Sequence, residues 1–212
     1  MAAYSTLSPA NSNPLHTGNS KPQSVLILGD SISAAYGIPV DQGWVTRLAL
    51  AIADDHPEYN IINASISGET SGGALTRLPD LLKQYQPAIT IIELGGNDGL
   101  RGYPISSIRN NLSKIVQLSL MHGQVLLLGM QIPPNYGVKY TQLFSVSYSL
   151  LAEQYQLSLV PFFLENIATE EKLMQADGIH PGANAQLTLL RNVLPYLKPL
   201  LLQALPDSET GP

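Results

Sequence analysis

The chain has 212 residues, 44% hydrophobic and only 13% charged, with a formal net charge of −5. That length suits one sizeable domain with a well-buried core, and the acidic balance offers no basic patch for phosphates, so nucleic acid is not an expected partner. No cysteine is present, which removes disulfides, thiolate zinc sites and a cysteine nucleophile, and no apolar run approaches the roughly 18 residues of a membrane span.

Residues 1–23 are rich in Ser, Pro and Asn and read as a flexible leader. They lack the basic start and continuous apolar stretch of a secretory signal. The closing 206–212 reads as a frayed tail, leaving a single domain over 24–205. Within it, Ser24–Leu28 is a short apolar run ending at Gly29, the pattern of a buried strand. Val45, Leu48, Ala49 and Ile52 follow at helical spacing. Tyr59–Asn63 is a second strand, and Leu75, Leu78 and Leu82 mark a second helix that Pro79 should break or restart. Ala88–Leu94, rich in β-branched residues, is a third strand. Ile108, Leu112, Ile115 and Val116 form an amphipathic helix begun at Pro104. Gln124–Leu128 is a fourth strand, and a loop with Pro133, Pro134 and Gly137 leads to a helix over about 139–155. Leu157–Val160 is a fifth strand, and the last helix covers much of 182–203, with kinks expected at Pro195 and Pro199.

Five buried strands separated by helices require a parallel sheet covered on both faces. The expected fold is a flavodoxin-like three-layer α/β/α sandwich. Right-handed crossovers leave few topologies, and the order 2-1-3-4-5 sets strand 1 beside a topological switch point, where such sheets bind ligands.

The polar clusters fall just past the strand ends. Gly29-Asp30-Ser31 follows strand 1, Ser67-Gly68-Glu69-Thr70 strand 2, and Gly95-Gly96-Asn97-Asp98 strand 3; Asp177-Gly178-Ile179-His180-Pro181 lies beyond strand 5. This set suits acyl transfer. A serine nucleophile at Ser31 needs a base, and His180 is the best placed of the four histidines. Asp177, three residues earlier, can hold the other ring nitrogen. The N–H groups of Ser31 and Gly68 and the side-chain amide of Asn97 would serve as oxyanion donors. Taken singly, each cluster has a plainer reading: a strand-to-turn signal, a glycine turn, a helix-capping aspartate near a surface histidine. Three rival functions also stand beside acyl transfer. They are a flavodoxin-like module binding phosphate or flavin, a hydrolase of acetylated carbohydrate, and a metal-dependent hydrolase for which ligands are lacking. No cofactor or metal is implied.

The combination of Gly29-Asp-Ser-Ile-Ser33, Gly68, Gly95-Gly-Asn-Asp98 and Asp177-x-x-His180 resembles the four blocks of the SGNH (GDSL-type) hydrolases. Residues 63–71, 94–102 and 177–181 are similar to the bacterial thioesterase I/lysophospholipase/arylesterase group. The resemblance runs from about Val25 to Leu202. It implies a serine esterase or thioesterase acting on small acyl esters or thioesters, with Ser31, Gly68, Asn97, Asp177 and His180 in the family's site roles. Glu69 replaces the usual aspartate and Ala35 the usual glycine. The resemblance also implies a periplasmic location, although the 1–23 leader does not read as a signal peptide. Leu100, Tyr103, Met130, Ile132, Pro133, Pro134 and Tyr136 form a second tier, read either as an acyl or aryl groove or as core covering helix ends. Gly99 and Gly102 flank Leu100-Arg101, so that loop is expected to move on substrate binding. Arg101 reads as a solvated arginine or a contact for a leaving-group anion. Ester against thioester preference, chain length and oligomeric state are left open.

Overall fold

The computed structural model describes residues 22–203. The expected leader and tail lie outside these residues except at Pro22 and Gln23. Gln23 is the first residue of β1 (Gln23–Gly29), where it pairs with Tyr59. The other strands are β2 (Tyr59–Asn63), β3 (Ile89–Glu93), β4 (Gln124–Leu128) and β5 (Ser158–Val160). All neighbours are parallel, in the order β2-β1-β3-β4-β5. The expected sheet is therefore the observed one.

The helices are α1 (Trp44–Ile52), α2 (Ser71–Tyr85), α3 (Gly96–Leu100), α4 (Ile105–Leu120), α5 (Val138–Tyr155) and α6 (Gln186–Gln203). α1 packs on α6, while α2 packs on α4 and α4 on α5, giving a layer on each face of the sheet. This double cover explains the composition of the central strands. Val25–Leu28, all of β3 and Val125–Leu128 are buried, and each Leu or Ile so removed from water contributes about 1.5–3 kcal/mol before entropy is counted. A parallel strand buried on both faces has no polar side to show, hence its continuous apolar run.

Helix ends follow local chemistry. Thr70 caps α2, its hydroxyl accepting from the Gly73 N–H at 3.2 Å, and Gln86 closes the same helix in a left-handed conformation (φ 43°) with its N–H on the Leu82 carbonyl. Pro79 does not break α2, contrary to the expectation from sequence; the helix runs unbroken from Ser71 to Tyr85. Pro79 is exposed, so its ring lies on the solvent side of the helix, and the missing i→i−4 hydrogen bond is tolerated within a helix that otherwise packs well. Pro195 and Pro199 are likewise exposed within a continuous α6.

Replacing Pro79 restores a helix hydrogen bond at no cost to the core. We expect Pro79→Ala to stabilise the protein by about 1–2 kcal/mol, the helix-interior penalty of proline less its gain from a stiffer unfolded chain. Urea unfolding should show a higher midpoint with an unchanged slope.

Candidate active site

Because all five strands run in one direction, their carboxyl ends and following loops share one rim. β1 and β3 pair with Gly29 beside Glu93, which sets the turn after Gly29 next to the turn after Glu93. Ser31 is buried at that junction. Its Oγ lies 2.9 Å from His180 Nε2, and His180 Nδ1 lies 2.6 Å from Asp177 Oδ2. The other carboxylate oxygen of Asp177 accepts the N–H groups of Ile179 (2.9 Å) and His180 (3.0 Å). Asp177 thus holds both the ring and the turn that carries it. With the Nδ1 proton directed at Asp177, Nε2 faces the serine as an acceptor.

Several residues that were not singled out from sequence lock this arrangement. Gln175 makes no bond to the ring but clasps the turn: its N–H donates to the His180 carbonyl at 2.7 Å, and its side chain donates to the Tyr36 carbonyl at 2.7 Å. The Tyr36 ring lies against His180, centroids 4.5 Å apart. Gln186, buried at the start of α6, accepts the Trp44 N–H (2.9 Å) and donates to the Gly182 carbonyl (3.1 Å). A lone glutamine just after Asp-x-x-His was the available signal.

Gly68 adopts φ +78°, a conformation glycine takes without penalty. Neither its N–H nor that of Ser31 has an acceptor among the described residues. Arg101, read from sequence as solvated or leaving-group-directed, is exposed and donates to the Gly68 carbonyl at 3.1 Å. Asn97 Nδ2 donates one hydrogen to Asp30 Oδ2 at 3.1 Å, which orients the amide and leaves its second hydrogen for another acceptor. The Gly-Gly-Asn-Asp segment, which alone reads as a turn, forms the short α3. Gly95 precedes it at φ +103°, against the Tyr148 hydroxyl that donates to the Leu94 carbonyl at 2.8 Å. Asp98, buried, accepts from the Ser71 N–H (2.8 Å) and hydroxyl (2.5 Å), tying α3 to α2.

The second tier divides. Met130 and Ile132 are buried in the core against Gly96 and Gly99. Tyr103, Pro133, Pro134 and Tyr136 are exposed, and Leu100 is half-buried. The 100–103 segment is held by side chains, Tyr136 donating to the Leu100 carbonyl (2.9 Å) and Tyr140 to the Tyr103 carbonyl (2.6 Å). A cavity beside this tier is lined by Gln131, Ile132, Pro134, Val138, Thr141 and neighbours and includes none of Ser31, Asp177 or His180. Among the described residues, no cluster of three or more His, Asp or Glu could hold a metal, and no helix is long and apolar enough to cross a membrane.

The sequence profile of the GDSL-like lipase/acylhydrolase family matches residues 27–186. This chain belongs to that family. The hydrolase is 51% identical to esterase TesA of Pseudomonas aeruginosa over 188 residues, 88% of this chain and 94% of that relative. It is 40% identical to the thioesterase 1/protease 1/lysophospholipase L1 of Escherichia coli K12, covering 84% of this chain and 85% of the other. Among solved structures, the psychrotrophic esterase EstA from Pseudoalteromonas sp., in a form inhibited by monoethylphosphonate, superposes with a TM-score of 0.80 at 42% identity. The match covers 85% of this chain and 99% of that one.

Electrostatics at the rim of this GDSL-type hydrolase are uneven. Burial pushes Asp30 up from 3.8 to about 6, against the lowering effect of the Ile32 N–H, the charge of His180, Asn97 and Ser31. Burial, with the neighbouring Asp30 charge added, also raises Glu93 well above the carboxylate range. At Asp177 burial acts upward but is outweighed by the His180 N–H, the His180 ring and the Ile179 N–H, which together hold the carboxyl near 2.

For Asp30 the folded state keeps its proton to higher pH than the unfolded chain. Folding therefore takes up a proton between about pH 4 and 6, and stability falls as pH rises through that window, the penalty being complete above it. We expect the stability of Asp30→Asn relative to the parent to increase from pH 4 to 6.5, read from urea midpoints. A difference that stays constant with pH would assign the titration elsewhere.

Proposed function

We propose that this hydrolase cleaves carboxylic ester and acyl thioester bonds through an acyl-enzyme on Ser31, with His180 as base, Asp177 as its orienter, and the Ser31 N–H, Gly68 N–H and Asn97 amide as oxyanion donors. The observation that carries the reading is the unbroken hydrogen-bond chain from Asp177 through His180 to Ser31, 2.6 and 2.9 Å. Ser31 Oγ attacks the acyl carbon as its proton passes to His180 Nε2, and the carbonyl oxygen becomes the oxyanion. Two backbone N–H groups and one side-chain amide suit that charge, and their fixed positions mean little reorganisation in the transition state. His180 then returns the proton to the leaving oxygen or sulfur. Water repeats the cycle on the acyl-serine, with His180 taking its proton and Ser31 released as leaving group. No cofactor takes part.

The relatives' names span an esterase and a thioesterase/lysophospholipase, so both oxygen and sulfur leaving groups belong in the reading. The exposed Tyr103, Pro133 and Tyr136 offer an apolar rim that suits acyl or aryl groups. Arg101 is engaged with Gly68 and is not assigned to the leaving group.

A panel of p-nitrophenyl esters of increasing chain length beside acyl-CoA thioesters tests the substrate class. An organophosphate should label Ser31 stoichiometrically, and Ser31→Ala should lose at least about 10³ in kcat/KM. Labelling at another residue, with Ser31→Ala still active, would contradict the assignment. Asn97→Ala should lower kcat by about 10²–10³ with KM within a few-fold, since the donor matters most in the transition state. Thermal unfolding on the same preparation separates lost catalysis from lost fold.

A further inference from the structure

We propose that Glu93 is a positioning residue for the reaction, holding the Asp30 N–H and the Ser33 hydroxyl so that the turn between them presents Ser31. The inference rests on the reading of Ser31 as nucleophile. Glu93 ends β3 and is fully buried, yet it touches none of Ser31, His180 or Asp177 by hydrogen bond. One of its oxygens, Oε2, accepts the Asp30 N–H at 3.2 Å and the Ser33 hydroxyl at 2.7 Å. Those donors stand one residue before the nucleophile and two residues after it. A single oxygen therefore clamps both sides of the turn.

The clamp is itself braced. Ser33 Oγ accepts from Trp44 Nε1 at 3.2 Å, and the Ser33 carbonyl accepts from Asn63 Nδ2 at 2.8 Å. α1 and β2 are thereby tied to the same turn. On its other side, Asp30 accepts the Ile32 N–H at 3.0 Å and the Asn97 amide at 3.1 Å. Displacing Asp30 would move the serine and the Asn97 donor together. Misplacement of a reacting group by about 1 Å can cost 10²-fold in rate.

An apolar residue would serve the core better at this position, since the rest of β3 is Ile-Thr-Ile-Ile. It would also leave the Asp30 N–H and the Ser33 hydroxyl without an acceptor in a dry interior. The carboxyl fits the role as a neutral acid. Among the described residues, no basic side chain pairs with it, and its Oε1 has no hydrogen-bond partner. What the turn requires is a carbonyl-type acceptor at Oε2, and a glutamine can supply that.

The test compares kcat, KM and thermal unfolding for Glu93→Leu, Glu93→Gln and Ser33→Ala on one p-nitrophenyl ester, with Ser31→Ala as control. We expect Glu93→Leu to lose about 30-fold or more in kcat with KM within threefold, and Glu93→Gln to restore kcat to within about threefold of the parent. Ser33→Ala, which leaves the carboxyl in place and removes one arm of the clamp, should lose about 3–10-fold in kcat alone. Parental kcat in Glu93→Leu, or a Glu93→Gln variant as impaired as Glu93→Leu, would overturn the proposal. If Glu93→Leu does not fold, undiminished kcat in Ser33→Ala overturns it. An active Ser31→Ala removes the nucleophile reading and this role with it, whereas with an inactive one the other variants bear on Glu93 alone.

Discussion

The pairing of β1 with β3 is the constraint from which the rim is built. Gly29 stands beside Glu93 in that ladder, so the first residues past each strand must meet. Asp30 and Asn97 are 67 residues apart in the chain, yet a hydrogen bond joins the Asn97 amide to the residue just before Ser31. A shift of the parallel register by one residue would turn Glu93 to the opposite face and separate these groups. The strands that enforce the register are among the most deeply buried segments of the molecule. Hydrophobic burial there does two jobs, stabilising the fold and fixing the relative height of the strand-end turns.

This precision has an energetic cost. Asp30 and Glu93 sit close together out of contact with water, where burial opposes ionising either and the Asp30 charge further opposes ionising Glu93. Ala35 adds a smaller penalty, adopting φ 59° where the family resemblance leads one to expect glycine; a left-handed alanine costs about 1–2 kcal/mol. Both features lie close to Ser31 at the carboxyl edge of the sheet. Local sacrifice of stability at the strand-end turns, compensated by the apolar strands beneath them, is a common arrangement in enzymes.

The loop after β3 carries the other half of the rim. Its glycines suggest mobility when read alone, but three side chains hold it: Arg101 reaches the Gly68 carbonyl, Tyr136 the Leu100 carbonyl, and Tyr140 the Tyr103 carbonyl. The tyrosines come from the segment after β4 and from α5, so the segments flanking the site brace one another. Met130 and Ile132 extend this support from below, which explains why apolar residues occur in loops there without all of them facing a substrate. Asp98 plays the same part toward α2 through Ser71.

Much of this was legible in the residues themselves. Sequence pattern marked all five strands to within a residue or two; β1, β3 and β4 stood out as apolar runs because both their faces are covered, whereas the edge strands β2 and β5 are only partly buried. Polar clusters just beyond those runs marked the rim, because a parallel sheet carries its ligand-facing loops at one end. Ser31, Asp177 and His180, which the structure joins by hydrogen bonds, could be named together because a serine, a base and an orienting carboxylate make sense only as a set. Other features lay beyond local pattern. Pro79 looked like a break, since a periodicity does not tell which face of a helix will be wet. Glu93 passed as one more strand residue in Ala88–Leu94, although a single acid closing an apolar run hints at a buried partner. Its partners, Asp30 and Ser33, are 63 and 60 residues away. Composition, periodicity and motif order determined the sheet, its cover and the residue types at the site. The tertiary structure alone decided which buried polar atoms meet, because hydrogen bonds between distant segments depend on strand register and helix packing to within an ångström, and neither is written in the spacing of residues along the chain.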